Sequence, residues 1–198
     1  MTSRTENKRS LILQAAMKCF NQKGYTGTSM DDIVRASGGS KGGIYWYFHG
    51  KEEIFVCMLE EWMQQWEIDV RRELAGIAPL DAWLRKYVDM YYQSLSFPLV
   101  RSFPEFFWTN NDSEYKERLV RCFAFDSEFL TAGFSQAAAC GLITMSDPGM
   151  LAELLLSNLD GLIADWIWDK AADAVLKRKM DLTIEIFIRG IGWKGSGN

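Results

Sequence analysis

Apolar residues return every three or four positions along almost the whole 198-residue chain, and no alternating stretch of strand length competes with that rhythm. The pattern predicts an all-α protein of about nine helices. A first helix over about Thr5 to Lys23 turns Ile12, Leu13, Ala16, Cys19 and Phe20 to one side, and Gly24 supplies its C-terminal stop. A second begins after Thr28 or Ser29, either of which can cap it. Asp31 and Asp32 stand against the positive end of its dipole, and it ends at Gly38-Gly39. A third follows at once, capped by Ser40, with Ile44 and Phe48 pointing inward. From Lys51 a long fourth helix keeps Ile54, Cys57, Met58, Trp62, Trp66 and Val70 on one side. Pro79 opens a fifth helix, Pro98 and Pro104 punctuate a short or kinked sixth, and the break at residues 110–112 precedes a seventh. Asp147-Pro148 opens an eighth that carries ELLLSNLDGLIADWIW, and a ninth from about Lys179 to Gly190 leads to a frayed GSGN tail.

Composition adds a division within this helical chain. Residues 1–51 hold eight Lys or Arg against three acids, whereas the remainder holds 14 against 23. Such asymmetry suggests an N-terminal segment that meets a polyanion and a C-terminal one that does not. Cys19, Cys57, Cys122 and Cys140 are dispersed and His49 is the only histidine, so neither a disulfide framework nor a metal site is expected. No cofactor is implied. There is no H-E-x-x-H; GGSKG matches G-x-S-x-G in letters only, since it joins two predicted helices where a nucleophile elbow joins a strand to a helix; and GGSKGG lacks the spacing of a phosphate loop, so an enzyme is not expected. The polar opening MTSRTENKRS and the absence of a long apolar run predict no signal peptide, no membrane span and a cytoplasmic protein.

The stretch SKGGIYWYF, residues 40–48, carries the candidate chemistry. Two short helices joined by a small-residue turn, after a scaffold helix and before a long one, describe a helix-turn-helix unit whose second helix enters the DNA major groove. Gly42 and Gly43 leave out side chains where backbone must approach bases or phosphates, and Lys41 adds charge beside them. Tyr45, Trp46 and Tyr47 cannot all be core, because neighbours on a helix point about 100 degrees apart. At least one ring faces outward, able to donate to a phosphate or cover a thymine methyl.

Over roughly its first 55 residues the chain resembles the DNA-binding domain of the TetR family of bacterial transcriptional regulators. The matching features are the Ile-Leu and Ala-Ala pairs of the first helix, Gly24-Tyr25, Thr28-Ser29, the Ser40-Lys41-Gly42 turn, Tyr45 with Phe48, and Lys51-Glu52. The resemblance implies that Lys41, Gly42, Gly43 and Tyr45 approach bases, that Thr28, Ser29, Trp46, Tyr47 and Lys51 hold the phosphate backbone, and that Ser40 belongs to the same DNA-binding set. Gly39 stands where the family usually has an apolar residue, which removes a core contact from the turn. Gly43 replaces a larger side chain of some members, which shifts operator choice toward DNA shape. The implied organisation is a DNA-binding domain over residues 1–50 and an effector-binding and dimerisation domain over residues 51–198.

The C-terminal part is unusually aromatic, and cavities lined by Trp, Tyr, Phe and Met bind flat hydrophobic or cationic molecules. The resemblance implies an effector pocket between the fourth and eighth helices, for which Trp62, Trp66, Tyr87, Tyr91, Phe107, Trp108 and Phe129 are the candidates. Glu105, Glu128, Asp160 and Asp165 lie among apolar neighbours and could neutralise a cation. Leu155, Leu159, Leu162 and Trp166, with Ile184, Phe187, Ile188 and Ile191, repeat at helical spacing and are expected to form a homodimer interface by four-helix packing. A dimer would present two recognition helices to a roughly palindromic duplex operator. The reading is a ligand-responsive repressor released by a hydrophobic or cationic aromatic small molecule. The alternative is an architectural or cell-division DNA-binding protein of the same fold with no effector.

Overall fold

The computed structural model describes residues 4–144, 147–169 and 172–192, and the predicted GSGN tail lies outside them. Among the described residues there are nine α-helices and no strand: α1 Arg4–Lys23, α2 Met30–Ser37, α3 Lys41–Tyr45, α4 Lys51–Glu73, α5 Leu80–Ser94, α6 Phe103–Thr109, α7 Ser113–Ala139, α8 Pro148–Asp169 and α9 Asp173–Gly190. A short 3-10 turn, Val100–Ser102, precedes α6. The chain forms two compact units. One comprises Met1–Gln65 with Leu95–Cys122, the other Trp66–Ser94 with Phe123–Asn198.

In the first unit, α1 buries Ile12, Leu13, Ala16, Cys19 and Phe20, the stripe its spacing predicts. Gly24 follows with φ +72°, a left-handed conformation that glycine adopts without penalty. Ser29 caps α2 in a reciprocal box: Asp32 N–H donates to its Oγ at 3.1 Å, and its own N–H donates to Asp32 Oδ2 at 3.0 Å. Hydrogen bonds from Lys23 and Ser29 hold the Asp32 carboxyl well below the ordinary carboxylate range. Gly38, at φ +67°, closes α2. Ser40 then caps α3 by accepting from Gly43 N–H at 3.1 Å, and Ile44 and Phe48 enter the core. An aromatic nucleus completes the unit. Phe55 stacks on Phe106 of α6 at 4.8 Å, and Tyr25 and Phe20 meet Phe55 edge-on at 5.0 and 5.3 Å.

In the second unit, α9 packs against both α5 and α8. Leu84, Tyr87 and Val88 of α5, Leu151, Leu155 and Leu159 of α8, and Leu176, Met180, Ile184 and Ile188 of α9 are buried. Gly133 on α7 makes room for Trp83, whose ring carbon would lie 2.7 Å from an added Cβ. The ninth helix begins at Asp173, six residues before its predicted start, because Leu176 and Met180 extend its buried stripe toward the N-terminus.

Candidate nucleic-acid interface and aromatic site

The exposed surface of the α2–α3 unit is built from the residues singled out in SKGGIYWYF. Trp46 is 71% exposed and Tyr45 43%, and the Trp46 ring meets Tyr47 edge-on at 4.6 Å. An added Cβ on Gly42 would find no atom within 4 Å, and its backbone is not left-handed, so nothing inside the protein requires glycine there. A Cβ on Gly43 would come to 3.0 Å from Ser40 Oγ, pressing on the cap. Gly39 likewise has room: a Cβ would make ordinary contact with Ser37 Oγ at 3.4 Å and reach Ile44 at 4.0 Å. Beside this surface a cleft of about 560 Å³ is lined by Leu11, Ile12, Gly39, Gly43, Ile44 and Trp46, with Lys8 at its edge.

The cations and hydroxyls of the same region divide into outward and inward groups. Lys41 is exposed, and its ammonium lies 3.1 Å from Asp31, which raises its pKa. Ser29 and Ser40 use their hydroxyls as helix caps and stay exposed. Thr28, by contrast, is buried and donates its hydroxyl to Gly24 O at 2.8 Å. Lys51 turns its ammonium to the carbonyls of Tyr25 and Thr28, each at 3.0 Å, and lies 4.4 Å from the Tyr25 ring centre. These two side chains hold the α1–α2 loop against the start of α4.

Of the predicted effector residues, the second unit brings Trp66, Tyr87, Tyr91 and Phe129 together. Tyr87 stacks on Tyr91 at 6.0 Å and on Phe129 at 6.5 Å, Trp83 stacks on Phe129 at 5.3 Å, and Trp66 meets Tyr87 and Tyr91 edge-on. The Arg71 guanidinium lies 5.0 Å from the Phe125 ring centre and 5.9 Å from that of Phe129. In the first unit, Trp62 stacks on Phe97 at 4.6 Å, and exposed Phe107 and Trp108 meet edge-on at 5.7 Å.

The acid at the centre of the ring cluster is one that sequence reasoning missed. Asp126, only 6% exposed, accepts from Tyr87 Oη at 2.6 Å and from Trp66 Nε1 at 2.9 Å, both on Oδ1. Burial raises its pKa, the two hydrogen bonds oppose that rise, and the charge of Asp160 adds to it. Its available signal was an acid one residue after Phe125 and three before Phe129, on the buried side of α7. Of the four predicted acids, Asp160 meets the cluster and the other three go elsewhere. Asp160 accepts from Tyr91 Oη at 2.7 Å, Asp165 lies 3.6 Å from Lys179, Glu128 is exposed, and Glu105 accepts from Thr26.

The expected dimer residues are largely enclosed within their own protomer. Leu155, Leu159, Trp166, Ile184, Ile188 and Ile191 are buried, Leu162 and Phe187 are half-buried, and Phe187 packs on Phe134 at 5.8 Å. The same helices carry a second apolar stripe that is exposed: Met150, Leu154 and Trp168 on α8, and Val175, Leu182 and Ile186 on α9.

A capped α2, a glycine-bearing turn and a short α3 with an outward aromatic rim define a helix-turn-helix protein of the nucleic-acid-binding class. Residues 12–57 match the family profile described as bacterial regulatory proteins, tetR family, and the chain belongs to that family. The HTH-type transcriptional regulator RutR of Escherichia coli K12 is 31% identical over 81 residues, which span 41% of this chain and 38% of RutR. QacR of Staphylococcus aureus Mu50 is 27% identical over 122 residues, 57% of this chain and 63% of QacR. The matches thus span less than two thirds of these relatives. The solved structure of the transcriptional regulator FadR from Bacillus subtilis in complex with stearoyl-CoA shares the fold at a TM-score of 0.79 and 19% identity, over 92% of this chain and 98% of that one. No helix among the described residues is long and apolar enough to cross a membrane.

Proposed function

We propose that the protein is a dimeric transcriptional repressor of the cytoplasm that binds a roughly palindromic operator through α3 and leaves it when a small molecule occupies the aromatic cluster of the second unit. The observation that carries the DNA-binding part is the glycine at position 42: it stands on an exposed helix with open space around it and no backbone need for glycine. A residue that costs a helix about 1 kcal/mol and serves nothing internal is explained by an external surface that must come close. Lys41, Tyr45 and Trp46 surround it with a charge and two partly apolar rings. Ser29 and Ser40 offer capped helix ends beside them, whereas Thr28 and Lys51 act by fixing the loop behind.

The effector class follows from the second unit's ring cluster. Stacked Trp83, Tyr87, Tyr91 and Phe129 with the acids Asp126 and Asp160 suit a hydrophobic or cationic aromatic molecule. The stearoyl-CoA complex of FadR supports a fold able to hold a long apolar ligand. Helix α4 is continuous from Lys51 to Glu73 and bears Trp66, so a shift of Trp66 acts on the same helix that anchors the α1–α2 loop. The coupling required is about 1 to 3 kcal/mol.

The deciding experiment is a mobility shift with the DNA immediately upstream of the protein's own gene, repeated with lipophilic cations and neutral aromatics. Wild-type protein should bind and be released by members of that panel, while Lys41→Ala and Tyr45→Ala should each lose about tenfold or more in affinity at moderate salt. Unchanged binding by both variants would refute the placement of α3 on DNA.

A further inference from the structure

The six-residue loop between α1 and α2 is held from two sides, and only one of them is the start of α4. On that side Lys51 bonds the carbonyls of Tyr25 and Thr28, and Tyr25 Oη donates to Glu52 at 3.0 Å. On the other side stands α6. Its Glu105 carboxylate accepts both the backbone N–H and the hydroxyl of Thr26, each at 2.9 Å on the same oxygen. The loop is shaped to receive it. Gly24, at φ +72°, lies so close that an added Cβ would stand 2.8 Å from Glu105 Oε1. Neighbouring Phe106 is fully buried and packs on both Phe55 and Tyr25, which fixes the helix from which Glu105 reaches out.

Resting on the DNA-binding reading above, we propose that Glu105 is a positioning residue for operator binding: it pins the α1–α2 loop at Thr26 and thereby sets the pose of α2 and α3. The carboxylate touches no nucleic-acid-facing side chain of α3. Its effect passes through the loop, because Thr26 lies three residues before the Ser29 cap and a free amide there would let the start of α2 swing. Glutamate suits the task because one ionised oxygen can take two donors from one residue, and charge-assisted bonds are the stronger kind.

The test uses the full chain with Glu105→Gln, Thr26→Val and the double variant, titrated by fluorescence anisotropy against the duplex from upstream of the gene over a range of salt. Amide hydrogen exchange at Thr26 is followed alongside. Glu105→Gln should weaken binding by about three- to tenfold, with faster exchange at Thr26. Its salt dependence should stay unchanged, because the number of neutralised phosphates is the same. Thr26→Val should lose less, since it keeps the amide, and the double variant should be no worse than Glu105→Gln. Wild-type affinity in Glu105→Gln, unchanged exchange at Thr26, or fully additive losses would each overturn the proposal. If wild type itself binds no duplex, the regulator reading falls, which is a different result from a variant that matches a binding-competent wild type.

Discussion

Gly42 separates two demands that most residues satisfy together. For the folded chain alone, alanine would be the better choice, because α3 is helical there and a Cβ would meet nothing within 4 Å. Gly42→Ala should therefore raise stability, by up to about 1 kcal/mol in a urea titration. The same methyl group would stand between the α3 backbone and any base edge pressed against it, and affinity for the operator should fall about tenfold. Opposite signs in the two measurements are the expected outcome. A variant that is more stable and binds duplex as well as wild type would mean that DNA does not approach α3 at this point. Gly39 differs from Gly42 in that a Cβ there would touch Ser37 and reach Ile44 of the same turn, so its missing side chain is a matter of turn packing.

At the level of elements, the chain's periodicity located the helices, the ninth with a start six residues late, and the inward direction of Ile44 and Phe48, while hydroxyl residues marked a cap at Ser40 and another at Thr28 or Ser29, of which Ser29 is the one used. Periodicity reports the phase of a buried face and says little about how wide that face is. Thus α4 also buries Phe55, Val56, Leu59 and Met63, because it is covered on more than one side, and Trp62 is left half-buried. Side-chain destinations were less legible still. Lys51 and an exposed phosphate-binding lysine look alike in sequence, and only the fold shows two carbonyls within reach of its ammonium. Asp126 was hidden for the same reason, since an acid on a mixed helix reads as solvated until Trp66 and Tyr87 are seen to point at it. That acid links α4, α5 and α7, and its titration is a way to measure the linkage. Because its folded-state pKa is raised, its contribution to stability is full below the ordinary carboxylate range and is lost as pH rises through the folded value. Asp126→Asn keeps an oxygen acceptor and carries no charge. Relative to wild type, it should gain stability as pH is raised from about 4 toward 7. Asp32, whose pKa is lowered, gives the opposite dependence in both proteins and cancels from the comparison. Parallel stability curves for the two proteins would show that Asp126 is ionised in the fold at no extra cost.

For the molecule as a whole, the proposed operator requires two copies of α3, so the function depends on a surface far along the sequence from the residues that touch DNA. That surface cannot be the stripe of Leu155, Leu159, Ile184 and Ile188, whose side chains already fill the core of the second unit. The exposed stripe remains. On α8, Met150, Leu154 and Trp168 fall on one side with Gly161, where an added Cβ would meet nothing; on α9, Val175, Leu182 and Ile186 do the same. A helix apolar on two faces has a use for both, one for its own core and one for a partner. Leu182 and Ile186, 58% and 62% exposed, lie one turn apart, so charging them leaves the protomer core untouched. Leu182→Glu with Ile186→Glu should yield a monomer by sedimentation at micromolar concentration, with helical content and unfolding cooperativity preserved. Operator affinity should then fall by about a hundredfold or more, since each half-site is held alone and the second contact is no longer intramolecular. A double variant that stays dimeric would place the interface elsewhere, and one that becomes monomeric yet binds the operator with wild-type affinity would show that a single α3 suffices.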